Sequence, residues 1–383
     1  MMVLGRSIRF IIDDDLSTVV LPCSRLLDRS NDVVEAPHDP RFAMAHQMEL
    51  FRQRAAQSFL DIFRAFCQNR CRVRRTLCHS IQDWETVHGD AEEIDQLLQV
   101  QLEEEPIVAQ LHGVPSDPAY SLPLSSWAYL YKLRLMEWIV QLGFELEVYQ
   151  PDELAGMYWY LSYLAKTRAQ HVERIKAFTV RSWNEHRARP QNNTPVKEIE
   201  FTRSLSYLRT TMLDAAVTWE LADALSCLFT SLQRLGLIVP PPRPYSTDEL
   251  RYNIRMKPFA PIGLPELPSF DAFTRATTQP ESPTTNLLDY AERAVAGAKK
   301  GFEVLKKLNE KESFSSNCHA KLVAATANRH KSAIAAGLAI NLVQKALAET
   351  PDGTKPTNLK VQISPPQERY HEWWIVPSIT RVT

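Results

Sequence analysis

The sequence predicts an all-α protein: long helices in an elongated helical scaffold, with a proline-rich extended belt and a short β-like C-terminal segment. Three observations predict it. Glycine is scarce, 11 of 383 residues, against about 7% in ordinary domains. Architectures that consume glycine, such as phosphate loops, propeller blades and sandwich turns, are therefore disfavoured. Apolar side chains recur at steps of three and four over long windows, the period of an amphipathic helix. Ten of the 25 prolines fall within 240–283, where they interrupt that period and extend the chain.

Residues 1–38 form a mixed N-terminal segment in which Arg6 to Leu21 reads as a short strand or a short helix. A main helical region spans 39–239. Asp39 is placed as an N-cap with Pro40 at the first helical position. From there Met48, Phe51, Ala55, Phe59, Ile62, Phe63 and Phe66 mark one face of a helix predicted to reach about Val87 and to stop at His88-Gly89. Residues 90–105 carry seven acids and no Lys or Arg, with Ile94, Leu97, Leu98 and Leu102 as a stripe. They read as a solvated acidic helix or as a surface for a basic partner. Residues 106–124 hold four prolines and form a loop. Ser125 or Ser126 then caps a helix over 127–142 that ends at Gly143. Pro151, Asp152 and Glu153 open a helix to about His186, with acids favourable to the helix dipole. After a loop at 187–195, a helix over 197–237 ends near Gly236. The segment 240–283 is a proline-rich linker or wrapping belt. Helices at 285–310 and 315–348 make a C-terminal pair within 284–350. Residues 351–383 form an extended tail with β-like ends, LKVQI and WWIV. No repeat of 20–50 residues is visible.

With 44 basic and 45 acidic side chains, the chain is neither a disordered polyelectrolyte nor a globally basic nucleic-acid binder. No window of 18 apolar residues exists, so no membrane span is predicted. The start, with Arg6 and Arg9 and a very short apolar run before Asp13-Asp14-Asp15, lacks the pattern of a signal peptide. A reducing, cytoplasmic location is the expectation.

Candidate chemistry is thin. Cys67, Cys71 and Cys78 share one face of the predicted helix, but Cys67 and Cys78 would lie about 16 Å apart along it. No single metal spans that, so they read as core cysteines and no metal site is predicted. Asp13-Asp14-Asp15 lacks the spacing of a DDxxD pair, because position 17 is Ser17. His171-Val172-Glu173 has the H-x-E of zinc deaminases without the P-C-x-x-C that should follow, and reads as helix surface. Neither a G-x-S-x-G nor a G-x-x-x-x-G-K-[ST] motif occurs.

Two basic clusters stand out. Arg70, Arg72, Arg74 and Arg75 crowd six positions. Lys299, Lys300, Lys306, Lys307 and Lys311 share a sector roughly 140° wide, opposite Leu287, Ala291, Ala298, Phe302, Leu305 and Leu308. Glu303 and Glu310 interleave with the lysines at i,i+4, which favours a solvated, salt-bridged face. Contact with ribosomal RNA or another acidic partner is the functional alternative for both clusters. Between Trp127 and Tyr163 lie ten of the chain's 35 aromatic residues. Tyr158-Trp159-Tyr160 are consecutive and so point to different sides of one helix. Either that helix is surrounded on several sides, or an aromatic side chain awaits a partner.

The segment Tyr129 to Leu164, YLYKLRLMEWIVQLGFELEVYQPDELAGMYWYLSYL, resembles the signature of the large auxiliary subunits of NatC N-terminal acetyltransferase complexes. Its core is Gly143–Leu161. Asn69–Trp84, the Ala291–Leu308 helix and the closing His371–Pro377 also resemble that family. The resemblance covers most of this chain but only the C-terminal part of the longer family members. It implies a non-catalytic helical scaffold that organises a GNAT-fold catalytic subunit and a small Sm-like subunit in the cytoplasm, at the ribosome. Acetyl-CoA is used by the catalytic partner, with no cofactor bound by this chain. The substrates implied are nascent N-termini with Met followed by a large apolar residue. Within the signature, Phe144, Tyr149, Asp152, Glu153, Leu154, Gly156, Met157, Tyr158, Trp159 and Tyr160 become candidate subunit-interface residues. Consistent with a non-catalytic role, the nearest match to the acetyl-CoA turn [RQ]-x-x-G-x-[GA] is Gln233–Ile238, which ends in Ile. The alternative from another class is an independent helical RNA- or ribosome-binding module.

Overall fold

The computed structural model describes residues 2–3, 6–7, 40–66, 70–98, 123–187, 195–243, 246–277, 282–311, 316–350, 356, 358–364 and 374–381. Among these residues there are nine α-helices: α1 (Pro40–Phe66), α2 (Arg70–Leu98), α3 (Leu124–Glu145), α4 (Leu154–Arg187), α5 (Pro195–Arg234), α6 (Asp248–Met256), α7 (Phe270–Thr277), α8 (Thr284–Lys311) and α9 (Ser316–Ala348). A 3₁₀ turn, Lys257–Phe259, follows α6. Strands β1 (Met2–Val3) and β2 (Arg6–Ser7) pair antiparallel, as do β3 (Leu359–Gln362) and β4 (Ser378–Arg381). The β3–β4 register aligns Leu359 with Arg381 and Gln362 with Ser378. The β-like end of the tail therefore lies after Trp374–Val376, not in them.

Several expected boundaries move. The helix from Pro40 ends at Phe66, and a second begins at Arg70. That second helix does not stop at His88-Gly89 but runs on to Leu98. A lone glycine inside a helix costs only about 1 kcal/mol, and Trp84, Val87, Ala91 and Ile94 are buried on either side of it. α3 likewise passes Gly143 by two residues. Its first N–H groups are not capped by Ser125 or Ser126. Asp95 of α2 accepts them instead, from Leu124 and Ser125 at 2.8 Å each. Asp95 is thus buried and does not belong to a solvated acidic face. Asp90 holds Arg54 of α1. Pro151–Glu153 form a turn before α4 rather than its first turn. α5 ends as expected: Gly236 adopts φ 61, and Leu237 N–H reaches back to Leu232 C=O at 2.9 Å, the C-terminal motif that glycine permits. The segment 240–283 is not extended throughout, since it carries α6, the 3₁₀ turn and α7.

The chain divides into two compact units. The first comprises 1–135 and 168–212. Phe51, Ala55, Phe59 and Ile62 of α1 meet Val73, Leu77, Ile81 and Trp84 of α2 around an aromatic cluster. Phe59 stands edge-on to Trp84 at 5.3 Å and to Tyr131 at 5.7 Å, and Trp127 lies 5.0 Å from Tyr131. The Trp84 indole N–H donates to Ala128 C=O at 2.8 Å. A further cluster joins Leu130, Val172, Ile175 and Leu208. Among the described residues, the two cysteines read as core do not sit in it. Cys71 is exposed and Cys78 half-buried, because they lie across α2 from Val73 and Leu77. Cys67 and Asp13–Asp15 fall outside the described residues, as do the side chains of Met48, Phe63 and Phe66.

Polar groups are also buried here. Lys132, at 0% exposure, donates to Glu85 at 2.7 Å and to His88 Nδ1 at 2.9 Å, and sits 5.4 Å from the centre of the Tyr129 ring. An ammonium donating to Nδ1 requires that nitrogen to be unprotonated. Burial pulls the Lys132 pKa down, and the Glu85 bond opposes this. Burial, then the Lys132 charge, lowers His88 to about 4. His171 is no surface residue: its Nε2–H donates to Ser126 C=O at 2.8 Å, and burial lowers it to about 4. Between pH 4 and 6.5 the unfolded chain therefore binds protons that these two rings refuse, and stability falls as pH falls through that window. Asp95 acts in the opposite sense, since burial pushes it up to about 6. Replacing His171 with Gln should shrink the loss of stability between pH 7 and 4 by on the order of 2–3 kcal/mol. Urea unfolding at the two pH values measures this, and equal losses in both proteins would contradict it.

The second unit comprises 136–167 and 213–383. Leu288, Ala291, Val295, Ala298, Phe302 and Leu305 form the buried stripe of α8, and Ala333, Ala336, Ile340, Val343 and Ala346 that of α9. Arg329 of α9 bonds Asp214 and Thr218 of α5, both at 2.6 Å, with its guanidinium over Phe302. Gly301 permits close packing against α5: a Cβ there would sit 2.2 Å from Val217 Cγ1, whereas one at Gly89 in the first unit meets nothing within 4 Å. Gly301→Ala should therefore destabilise by about 1–2 kcal/mol, overpacking outweighing helix propensity. Gly89→Ala should stabilise by up to about 1 kcal/mol. Opposite shifts of the urea midpoint are the expected result. Among the described residues no helix is long and apolar enough to cross a membrane.

Candidate functional site

The signature Gly143–Leu161 lies at the end of α3, the turn after it and the start of α4. Leu146 and Val148 N–H bond back to Leu142 and Gly143 C=O, and Glu147 takes a left-handed φ of 53 to turn the chain. The turn returns Tyr149 over Gly143, whose missing side chain provides the room: a Cβ would lie 2.3 Å from the Tyr149 ring. Tyr149 also stands edge-on to Phe144 at 5.2 Å.

The three consecutive aromatics of α4 do face three ways. Tyr158, at 0% exposure, lies parallel to Phe144 at 4.3 Å, Phe229 of α5 at 5.8 Å and Trp374 of the C-terminal segment at 6.0 Å. Its hydroxyl accepts from Ile375 N–H at 2.7 Å and donates to Ile375 C=O at 3.1 Å. Burial raises the pKas of Tyr158 and Tyr160 far above the ordinary phenol value. Tyr160 packs on Phe259 of the 3₁₀ turn at 5.2 Å. Trp159 is half-buried, edge-on to Phe273 of α7 at 5.7 Å and stacked on Tyr163. Gly156 lets α7 close in, since a Cβ would meet Phe273 Cζ at 2.3 Å. On the α5 side, Ser226 donates to Ala155 C=O at 2.9 Å.

The two acids of the turn anchor the belt. Asp152 takes a bidentate pair of bonds from Arg243, at 2.8 and 2.9 Å, and a third from Arg251 at 2.8 Å. Gln233 of α5 donates to the Asp152 C=O. Glu153 binds Arg255 at 2.9 and 3.2 Å and accepts the Gln150 N–H at 2.8 Å. The Arg255 guanidinium also lies over the Tyr149 ring at 5.9 Å. Bidentate arginine–carboxylate pairs of this kind fix geometry as well as adding energy. Farther along the belt, Tyr163 bonds Glu266 C=O, and Tyr252 bonds Pro268 C=O.

The signature residues are thus gathered in one place, but enclosed by the chain itself. Phe144, Tyr149, Leu154, Gly156, Met157, Tyr158 and Tyr160 are buried within the chain and so have little surface to give another subunit. Asp152 and Glu153 already hold arginines of the same chain. Trp159 keeps partial exposure. Trp374, from the closing segment that resembles the family, completes the arrangement together with Arg243, Arg251, Arg255, Phe259 and Phe273, which were not singled out from the sequence. The available signal was Arg251 and Arg255 at i,i+4 in a short segment after Pro244.

The basic clusters are not part of this arrangement. Arg72 and Arg75 of α2 are exposed and Arg74 half-buried. On α8, Lys300, Lys306 and Lys307 are exposed and Lys299 half-buried, its Nζ close over Gly337. The side chains of Arg70, Lys311 and Glu310 lie outside the described residues. Among the described residues, Glu303 salt-bridges no lysine of its own helix. It lies 3.9 Å from His330 of α9. Among the described residues, no group of three or more His, Cys, Asp or Glu side chains is arranged to hold a metal ion.

A family model described as "NAA35-like, TPR repeats" matches residues 3–375. The chain is similar to the N-alpha-acetyltransferase 35, NatC auxiliary subunit of Saccharomyces cerevisiae, 24% identical over 246 residues, covering 58% of this chain and 30% of the relative. A Drosophila melanogaster homolog of that subunit is 24% identical over 264 residues, covering 64% and 33%. The chain thus spans about a third of these curated relatives. Its fold is similar to a chain in the crystal structure of the NatC complex bound to Gag peptide and CoA, with TM-score 0.66, 16% identity, and coverage of 98% of this chain and 53% of that one. The apo NatC complex gives TM-score 0.65 over 89% and 50%. A tetratricopeptide unit pairs two short helices in 34 residues. Here single helices run to 34 and 40 residues, which is why no such period is legible in the sequence. The extent of the family match decides the assignment: this chain belongs to the NAA35-like family.

Proposed function

We propose that this chain is a non-catalytic scaffold subunit of a NatC-type N-terminal acetyltransferase complex. In this reading it organises a GNAT-fold catalytic subunit and a small Sm-like subunit, in the cytoplasm at the ribosome. The catalytic partner binds acetyl-CoA and acetylates nascent chains that begin with Met and a large apolar residue. Membership of the family along 3–375 carries the reading. The construction of the signature supports it. Asp152, Glu153 and the three aromatics after Met157 spend their interactions on joining α4 to the belt, to α5 and to the C-terminal segment. That is the work of a framework that holds a surface in shape. Acetyl transfer to a Met-Leu peptide tests it: the chain alone should give no turnover, and the catalytic subunit should gain activity when the chain is added. Turnover by the chain alone, or no effect of adding it, would count against the reading.

A second reading, an RNA- or ribosome-binding module, is favoured by the exposed cations Arg72, Arg75, Lys300 and Lys307. It predicts an affinity for ribosomal RNA that falls steeply with salt, as phosphate contacts release counterions. Charge reversal of Lys300 and Lys307 should abolish that affinity. Binding insensitive to both salt and these lysines would dismiss it.

A further inference from the structure

One side of the α8–α9 pair carries cations and aliphatic side chains that no contact described above employs. The two helices run antiparallel: Gln344 lies 3.0 Å from Asp289 and 3.2 Å from Glu292, His330 lies 3.9 Å from Glu303, and Asn309 lies 3.1 Å from Thr326. The facing lines therefore pass through Glu292, Lys299 and Glu303 on α8, and through His330, Gly337 and Gln344 on α9. At about 100° per residue, Arg293, Lys300 and Lys307 lie roughly 60–100° round α8 from its facing line. Ile334 and Leu338 lie at a similar angle round α9, in the same rotational sense. Because the helices are antiparallel, equal senses place both sets on the same side of the pair.

All five side chains are exposed, Ile334 at 42% and Leu338 at 62%. Among the described residues no acid pairs with Arg293, Lys300 or Lys307. Glu303, one turn from Lys300 and Lys307, leans to His330 instead, and Asp289 is taken by Gln344. The three cations repeat every seven residues, about 10 Å along the axis. That is the interval at which a helix lying alongside presents the same side chain again. Ile334 and Leu338, one turn apart, offer apolar area that a phosphate backbone has no use for, whereas the apolar face of a helix gains by covering it.

We propose that this side of α8 and α9 docks an acidic amphipathic helix of a protein partner. The partner's apolar residues cover Ile334 and Leu338. Its carboxylates, spaced seven residues apart, meet Arg293, Lys300 and Lys307. The inference rests on these two helices and is independent of the acetyltransferase reading.

The test uses the full chain and a fluorescent synthetic helix of 21 residues, with leucine along one face and glutamate beside it at heptad spacing. A control peptide keeps every charge and replaces leucine with serine. The leucine peptide should bind at least tenfold tighter than the control. Leu338→Ser and Lys300→Glu should each weaken it at least fivefold, while unchanged thermal unfolding of these surface variants shows that the fold is kept. Equal binding of the two peptides would overturn the proposal. So would a ribosomal RNA hairpin that displaces the leucine peptide and is indifferent to Leu338→Ser, which would give the cations to RNA.

Discussion

Replacing Tyr158 with alanine should cost about 4 kcal/mol of stability, within the range for deleting a buried aromatic ring. Two effects add. The ring fills the space between Phe144, Phe229 and Trp374, and its loss leaves a cavity that the surrounding segments close only in part. Its hydroxyl also satisfies both the N–H and the C=O of Ile375, groups that are costly to leave unpaired when buried. Tyr158→Phe separates the two effects, since it keeps the ring and loses only the bonds. Its expected cost is about 1–3 kcal/mol. Urea unfolding of both variants, with amide exchange followed at Ile375, makes the measurement. An alanine variant that loses less than about 1 kcal/mol, with the Ile375 amide still protected, would contradict the packing described here.

Asp152→Ala should cost about 3 kcal/mol and loosen the belt. Asp152 is the common anion of Arg243 and Arg251, and its side chain is only 9% exposed. Removing it leaves two partly buried guanidinium groups near each other without a counter-charge, the costly way to break an ion pair. Arg243 retains no other anion among the described residues, while Arg251 keeps Asp248 on its own helix. The damage should therefore be local before it is global, and tryptic cleavage after Arg251 and Arg255 should rise. Adding Arg243→Met to Asp152→Ala should recover part of the loss, because it removes one of the stranded charges. Unchanged cleavage together with unchanged stability would show that Asp152 does not hold the belt.

The contrast between these residues and the helices shows what the sequence makes legible. Local rules were enough for Pro40 at the start of α1 and Gly236 at the end of α5, because each is decided by the backbone of its immediate neighbours. They were also enough for the need to surround α4, because three consecutive aromatics cannot share a helix face. They were not enough for the break after Phe66: the apolar spacing of Phe59 and Ile62 continues into Val73 and Leu77, so the period gives no signal. Gly89 misled because burial around it outweighs its propensity. Asp95 sat in an acidic run and reads as solvated until α3 presents its bare N–H groups to it. Asp152 and Glu153 carried a local meaning, a favourable first helical turn, that hid a distant one. Their partners lie 91, 99 and 102 residues away, beyond any periodicity.

Native mass spectrometry of the chain, tagged and purified from its own cells, tests the proposed framework role in an acetyltransferase assembly most directly. The predicted result is one assembly containing this chain, a GNAT-fold acetyltransferase and a small Sm-like protein. Recovery of the folded chain without an acetyltransferase, under conditions where its relatives' complexes stay intact, would contradict it.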